Sequence, residues 1–321
     1  MKKSVRNSLI VLLIIVILLL IFRERTPFGS RNSSFTLEDK SQITRIEISQ
    51  GKNRLVLEKK GEGWFVNERY EARKSAINFI MKILSEVKIK SPVSPEKFES
   101  EIIKNGVKPV SVRVYGNSRL LKSYLVFKTS SNIYGNIMKM KERSKPFIVH
   151  VPGYEDDIGS SFSLNELFWQ PFTVFNFLPS EIASVSLQNF ADTSDSFTII
   201  HENHNVSLYN GSELSGWDTS LVRRYLTYYT WIPFEKWAFD MPSEEKNRIE
   251  SGIPFTRITV TDQAGITTVL SLWEKHIDSS GMKIKDTDRL WGKTGSTDEL
   301  FILRYFDVDP ILKKRSYFFL R

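Results

Sequence analysis

Apolar and polar residues alternate through residues 43–49, with Thr44, Ile46 and Ile48 on one side and Ile43, Arg45 and Glu47 on the other. A second run at 55–59 follows Gly51, Lys52 and Asn53, and two such runs around a short turn predict a β-hairpin. Trp64, Phe65 and Val66, after the glycine-bounded turn at 61–63, continue it as a third strand. From 72 to 87 the period lengthens: Ala76, Ile80, Ile83 and Val87, with Ile77 and Leu84, fall at helical spacing on one face. Such a face needs a sheet to cover. Strand patterns return at 110–115, 121–127, 132–138 and 147–151, joined by hairpin-length links. Strands, then a helix, then strands predict an α+β module whose sheet is mainly antiparallel.

The chain then repeats itself. Residues 101–128 and 248–275 share a polar run containing isoleucine, a glycine (Gly106, Gly252), a proline (Pro109, Pro254) and two strand-like segments around a turn. Residues 197–210 answer residues 55–68, Asp218 is a predicted helix N-cap, and Val222, Tyr225, Leu226 and Tyr229 form the stripe that follows. Tyr134-Gly135 is matched by Trp291-Gly292, and residues 147–149 by 301–303. Two copies are too few for a solenoid. The expected fold class is α+β: an N-terminal transmembrane helix followed by two similar, tandemly duplicated lobes of mainly antiparallel sheet, each covered by a helix. The expected segments are a cytoplasmic tip and signal anchor (1–25), a tether (26–41), a first module (42–160), an aromatic connector (161–180) and a second module (181–321).

The anchor is read from residues 9–22, an unbroken run of Leu, Ile, Val and Phe between Lys2, Lys3 and Arg6 before it and Arg23 and Arg25 after it. At about 1.5 Å per residue it spans roughly 21 Å, so crossing a membrane requires residues 4–8 to join and the arginines to snorkel. No pair of small residues follows at the spacing of a cleavage site, so an uncleaved anchor is expected in place of a removed signal peptide. The implied location is the bacterial inner membrane, single-pass, with both modules outside the cytoplasm. Charge adds little. The net charge is +8, and residues 1–31 supply +5 of it, which argues against nucleic acid as a partner. With no cysteine, disulfides, cysteine–zinc sites and thiol nucleophiles are excluded.

The connector is dense in aromatic residues: Phe168, Trp169, Phe172, Phe175 and Phe177. Core filling at the joint between modules explains them, and a partner-binding patch of Trp169, Phe172 and Phe175 is the functional alternative. Ser163 and Glu166 fit a capping box for a short helix that Pro171 ends. Other motifs favour structural explanations. Gly292-Lys293-Thr294 imitates the end of a P-loop, but Thr287 stands where the first glycine belongs. Gly61 and Gly63 lack the third glycine of a dinucleotide fingerprint, and His201 and His204 fall on opposite faces of a strand. The acids at 155–157, 286/288 and 307/309 lack calcium-loop spacing, and no Gly-x-Ser-x-Gly elbow is present. No catalytic, cofactor or metal residue is assigned.

The hairpin at 43–60 leading to Gly63-Trp64-Phe65-Val66 and its helix, the passage at 105–114 and the Tyr134-Gly135 turn resemble the bacterial DUF4340 family over most of residues 42–305. Asn105-Gly106-Val107 replaces the family's usual Tyr-Gly-Leu, and Ala72-Arg73 its Ala-Asp helix start. The resemblance implies a membrane-anchored envelope protein, associated in some members with ABC-transporter or gliding-type components. It brings no catalytic residues. The expected function is therefore a non-enzymatic envelope protein that binds partner proteins through sheet edges or the connector. The alternative is a periplasmic or surface hydrolase using carboxylates between the two lobes.

Overall fold

The computed structural model describes residues 34–129, 136–154, 157–202, 205–279 and 282–319, and the chain divides into two units, Met1–Pro171 and Phe172–Arg321. In the first, β1 (Arg45–Gln50) is the inner strand on which the hairpin is built. It pairs antiparallel with β2 (Asn53–Lys60), where Ile48 faces Leu55, and with β6 (Val110–Gly116), where Ile48 faces Val112. β3 (Gly63–Val66) and β4 (Tyr70–Glu71) extend one side; β7 (Arg119–Lys128), β8 (Asn136–Lys139), β9 (Phe147–His150) and β5 (Lys88–Pro92) extend the other. The order is β4-β3-β2-β1-β6-β7-β8-β9-β5, nine strands in all.

Helix α1 (Lys74–Glu86) lays Ala76, Ile77, Ile80, Ile83 and Leu84 on one face of this sheet, where Ile46, Leu57, Val112, Val114 and Val126 are also buried. Phe35, in the stretch expected to be a tether, is 1% exposed and meets Tyr124 and Phe147 edge-on at 6.2 Å each. Packed structure therefore begins before residue 42. The opposite face carries a smaller cluster of Val93, Ile102, Phe127, Ile137 and Ile148 beneath the short helix α2 (Pro95–Phe98) and the turn Glu99–Ile103 that continues it. The first unit closes with α3 (Glu166–Trp169).

The second unit opens with a two-stranded sheet of β10 (Thr173–Phe175) and β15 (Ile232–Pro233). Its main sheet contains β11 (Ile182–Asn189), β12 (Phe197–Glu202), β13 (Asn205–Asn210), β14 (Ser212–Glu213) and β16 (Lys236–Trp237). β17 (Thr256–Asp262), β18 (Thr267–Ser279), β19 (Met282–Thr294) and β20 (Phe301–Arg304) complete it. The order β14-β13-β12-β11-β17-β18-β19-β20-β16 has the same form as that of the first sheet. Helix α4 (Thr219–Thr227) begins where Asp218 accepts the Ser220 N–H at 2.7 Å, and it buries Val222, Tyr225 and Leu226. Tyr225 donates its hydroxyl to the Ile311 carbonyl at 2.7 Å, and Tyr229 Oη lies 2.7 Å from Tyr225 Oη, so two phenols are satisfied inside the core. A second helix, α5 (Ser243–Ser251), and the short α6 (Tyr305–Val308) flank this sheet.

The expected architecture needs correction. The described chain is mostly antiparallel sheet, in two large sheets, and not the α+β arrangement read from the sequence. Among the described residues no helix is long and apolar enough to cross a membrane, and residues 9–22 lie outside the described residues. The reading gave one helical period per module too much weight and missed strands with no apolar pattern, such as β5, whose alternate Lys88, Lys90 and Pro92 are exposed. The helix at 166–169 also starts differently. Asn165, and not Ser163, accepts the Leu167 N–H, while the Glu166 carboxylate accepts from Asn67 Nδ2 at 2.7 Å.

Gly292 owes its identity to packing: a Cβ there would run into the side chains of Leu303 and Phe301 on the neighbouring strand. Gly292→Ala is expected to lower the stability of the second unit by about 1–3 kcal/mol, the usual cost of overpacking. The urea midpoint of tryptophan fluorescence measures it, and an unchanged midpoint would refute the steric explanation.

Candidate functional site

β18 and β19, at 13 residues each, are longer than their other partners, β17 and β20. β17 bonds β18 only as far as Leu272, and β20 bonds β19 only from Arg289 to Gly292. Beyond those points the two strands continue as a ribbon paired only with each other: His276 with Lys285, Ile277 with Ile284, Asp278 with Lys283, Ser279 with Met282. The first unit's β7 and β8 pair no further than Lys128 with Asn136 among the described residues.

The ribbon leaves the sheet at a bend. The register shifts between Glu274 and His276, where Lys275 alone faces residues 286–289. A bulge of that size leaves backbone N–H groups without ladder partners. Asp286 supplies them: its Oδ1 accepts from Asp288 and Arg289 N–H, both at 3.0 Å, and its Oδ2 accepts from Lys275 Nζ at 3.0 Å. Asp286 is only 7% exposed, and burial pushes its carboxyl up, but the Lys275 bond and the two backbone N–H groups together hold it below the usual carboxylate range. Around this point Lys275 lies over the Trp291 ring, Lys285 bonds Glu274 at 2.6 Å, and Arg289 bonds Glu235 at 2.7 Å.

Past the bend, alternation separates two faces. Ile277 and Ile284 sit directly opposite each other with Met282 two residues from Ile284, and they are 40%, 46% and 66% exposed. The other face carries His276, Asp278, Lys283 and Lys285. A two-stranded ribbon is marginal in water by itself, and one with an apolar face and unpaired outer edges is suited to strand addition or face-on packing by another chain. The main sheet edges are poorer candidates. β4, β14 and β16 are two residues long, and β5 presents Lys88, Lys90 and Pro92, the usual means of blunting an edge.

The residues singled out in the sequence lie elsewhere. Trp169 is fully buried in the first core, donating Nε1–H to the Ser163 carbonyl at 3.0 Å. Phe175 is fully buried in the second core against Tyr229, and Phe172, half-buried, stacks on Phe234 at 5.0 Å. The structure thus assigns them to two cores and leaves only Phe172 with surface. Asp288, Asp307 and Asp309 pair with Arg289, Arg304 and Lys313, and His201 Nδ1 lies 3.0 Å from the Ile182 carbonyl. Asp157 is a local cap on Gly159, its carboxyl pushed up by burial, whereas Tyr134, Gly135, Glu155, Asp156 and His204 lie outside the described residues. Among the described residues no three His, Asp or Glu converge as metal ligands. Sequence reasoning missed the ribbon, although Met282-Lys283-Ile284-Lys285 after Ser-Ser-Gly carries its alternation in plain view.

Neither protein-family models nor curated proteins give a match to the chain.

Because the Asp286 carboxyl is held down in the folded state, its contribution is complete above the unfolded-state pKa and is lost as pH falls through the folded one. Hydrogen-exchange protection factors for residues 276–279 and 282–285 should therefore fall below about pH 4. Asp286→Asn should show weaker protection already at neutral pH and a flatter acid profile; a variant with the native profile would remove Asp286 from this role.

Proposed function

We propose that this is a non-enzymatic envelope protein, held at the bacterial inner membrane by residues 9–22, that binds a partner protein through the β18–β19 ribbon. In this reading it is an accessory subunit of an envelope transport or gliding-type complex, with both units outside the cytoplasm. The observation that carries the binding role is the exposed Ile277, Met282 and Ile284 on one face of a ribbon whose outer edges pair with no described strand. The apolar run and the resemblance to DUF4340 supply the setting.

The ribbon is tested with a photo-crosslinking amino acid at Met282 in intact cells. Discrete protein adducts identified as subunits of a membrane complex are expected, and they should disappear in the Ile277→Ser, Ile284→Ser double variant. Adducts to lipid alone, or a yield no higher than from the exposed hairpin position Lys52, would defeat the proposal. Orientation has its own test, since the chain lacks cysteine: Lys52→Cys should react with an impermeant maleimide before lysis. Reaction only after lysis would place the first unit in the cytoplasm.

A further inference from the structure

The matching strand orders let each unit serve as a control for the other. Gly106 and Gly252 both donate N–H to a carbonyl three residues earlier, Ile103 and Ile249, so the helical turns before them are in step. The next strands are in step too: Val110 faces Val126 as Thr256 faces Leu272, and Leu125 faces Lys139 as Ser271 faces Lys293. Lys139 and Lys293 therefore hold one position in two copies of the same sheet, and Lys104 and Glu250 hold one position on the helical segment above it.

In the second unit the lysine is matched. Lys293 Nζ lies 2.9 Å from Glu250 Oε2, and Trp273 and Trp291 fill the surface beside it, Trp273 donating to the Gly252 carbonyl at 2.7 Å. In the first unit each of those groups has changed. Lys104 replaces the glutamate, and the smaller Phe127 and Ile137 replace the tryptophans. The first unit carries a cavity of about 550 Å³ whose apolar lining includes Phe98, Leu125, Phe127 and Met140 and whose charged lining is Arg113, Lys139, Lys141 and Glu142.

Lys139 is half-buried with Nζ 5.0 Å from the centre of the Phe98 ring; no described carboxylate lies at ion-pair distance from it, and Glu142 on the same lining acts on its charge from further away. Among the described residues Arg113 has no carboxylate at ion-pair distance either, and Glu47, its neighbour across the strands, is held by Arg45 and Arg54. With Arg113, Lys139 and Lys141 against the single carboxylate of Glu142, the lining keeps a net positive charge beside its apolar side chains, which is how proteins hold a ligand with one negative end. The sister unit shows which charge fits over this lysine: a carboxylate.

We infer that the cavity on the first unit binds a small amphiphilic carboxylate, a medium-chain fatty acid, with its headgroup on Lys139 where Glu250 sits on Lys293 and its chain on Phe98, Leu125 and Phe127. This site is separate from the ribbon and stands or falls independently of it.

The full-length protein in amphipol is photolabelled with a diazirine-bearing octanoate, and the labelled peptides are read by mass spectrometry. Saturable labelling within residues 98–142, competed by octanoate and at least about tenfold less well by octanol, is expected from the loss of one charge-assisted hydrogen bond. Lys139→Met should weaken octanoate competition by a similar factor. Lys104→Glu, an exposed substitution that leaves the cavity lining untouched, supplies the internal carboxylate and should do the same; Lys293→Met should have no effect. Equal competition by octanol, labelling indifferent to both Lys139→Met and Lys104→Glu, or labelling outside this segment would each overturn the inference.

Discussion

The constraint on which both units depend is the mismatch between a broad sheet and a short helix. Nine strands at roughly 4.8 Å spacing span about 38 Å, whereas a helix of 13 residues is about 20 Å long. Helix α1 cannot cover the first sheet, and α4, at nine residues, covers still less of the second. The remaining apolar face is closed by aromatic side chains brought in from outside the two nine-stranded sheets. Phe35, Phe162 and Trp169 do this in the first unit, and Phe175, Tyr229 and Phe318 in the second. This accounts for the aromatic density between the modules. Those rings complete two separate cores, and their large buried area gives each core the hydrophobic stabilisation its helix cannot.

What was legible in the sequence is what local periodicity encodes. The stripe of Ala76, Ile80 and Ile83 marks α1, the alternation around Ile46 and Ile48 marks β1, and Asp218 marks the start of α4, because each depends on neighbours a few residues away. β5 escaped because an edge strand solvated on alternate positions has no apolar pattern, and β16 because two residues carry no period at all. Phe35 looked like part of a polar tether since its partners, Tyr124 and Phe147, are distant in sequence. The cavity had no local signal for the same reason. Lys139 meets Phe98 only once β8 has joined the sheet and the helical segment has folded over it.

The two units show how a shared topology can diverge without disturbing its core. On the helix-covered face both remain largely apolar along the inner strands, with Ile258 and Val260 at the places of Val112 and Val114 and the buried Thr256 at that of Val110. The differences accumulate where the sheet imposes little: at the end of the β18–β19 hairpin, which has grown beyond its neighbours, and on the opposite face, where tryptophans in one copy correspond to Phe127 and Ile137 in the other. Ion pairs follow the same division. The second unit ties Lys275, Asp286, Arg289 and Glu235 around the root of its ribbon, while the first keeps Arg45, Glu47 and Arg54 together on its open face.

The strand order also dictates how each unit must be assembled in time. β9 lies between β8 and β5, and β20 between β19 and β16, so in both sheets the last strand of the sequence fills an interior slot whose far wall was made long before. Until that strand emerges from the ribosome, β5 or β16 has no ladder partner, and the sheet ends in an exposed, unfinished edge. Pairing across such separations carries a loop-closure cost and makes folding slow. Each unit therefore waits on its C-terminal strand to become a cooperative whole, and a nascent chain halted short of residue 147 or residue 301 would be a substrate for chaperones and proteases rather than a smaller folded domain.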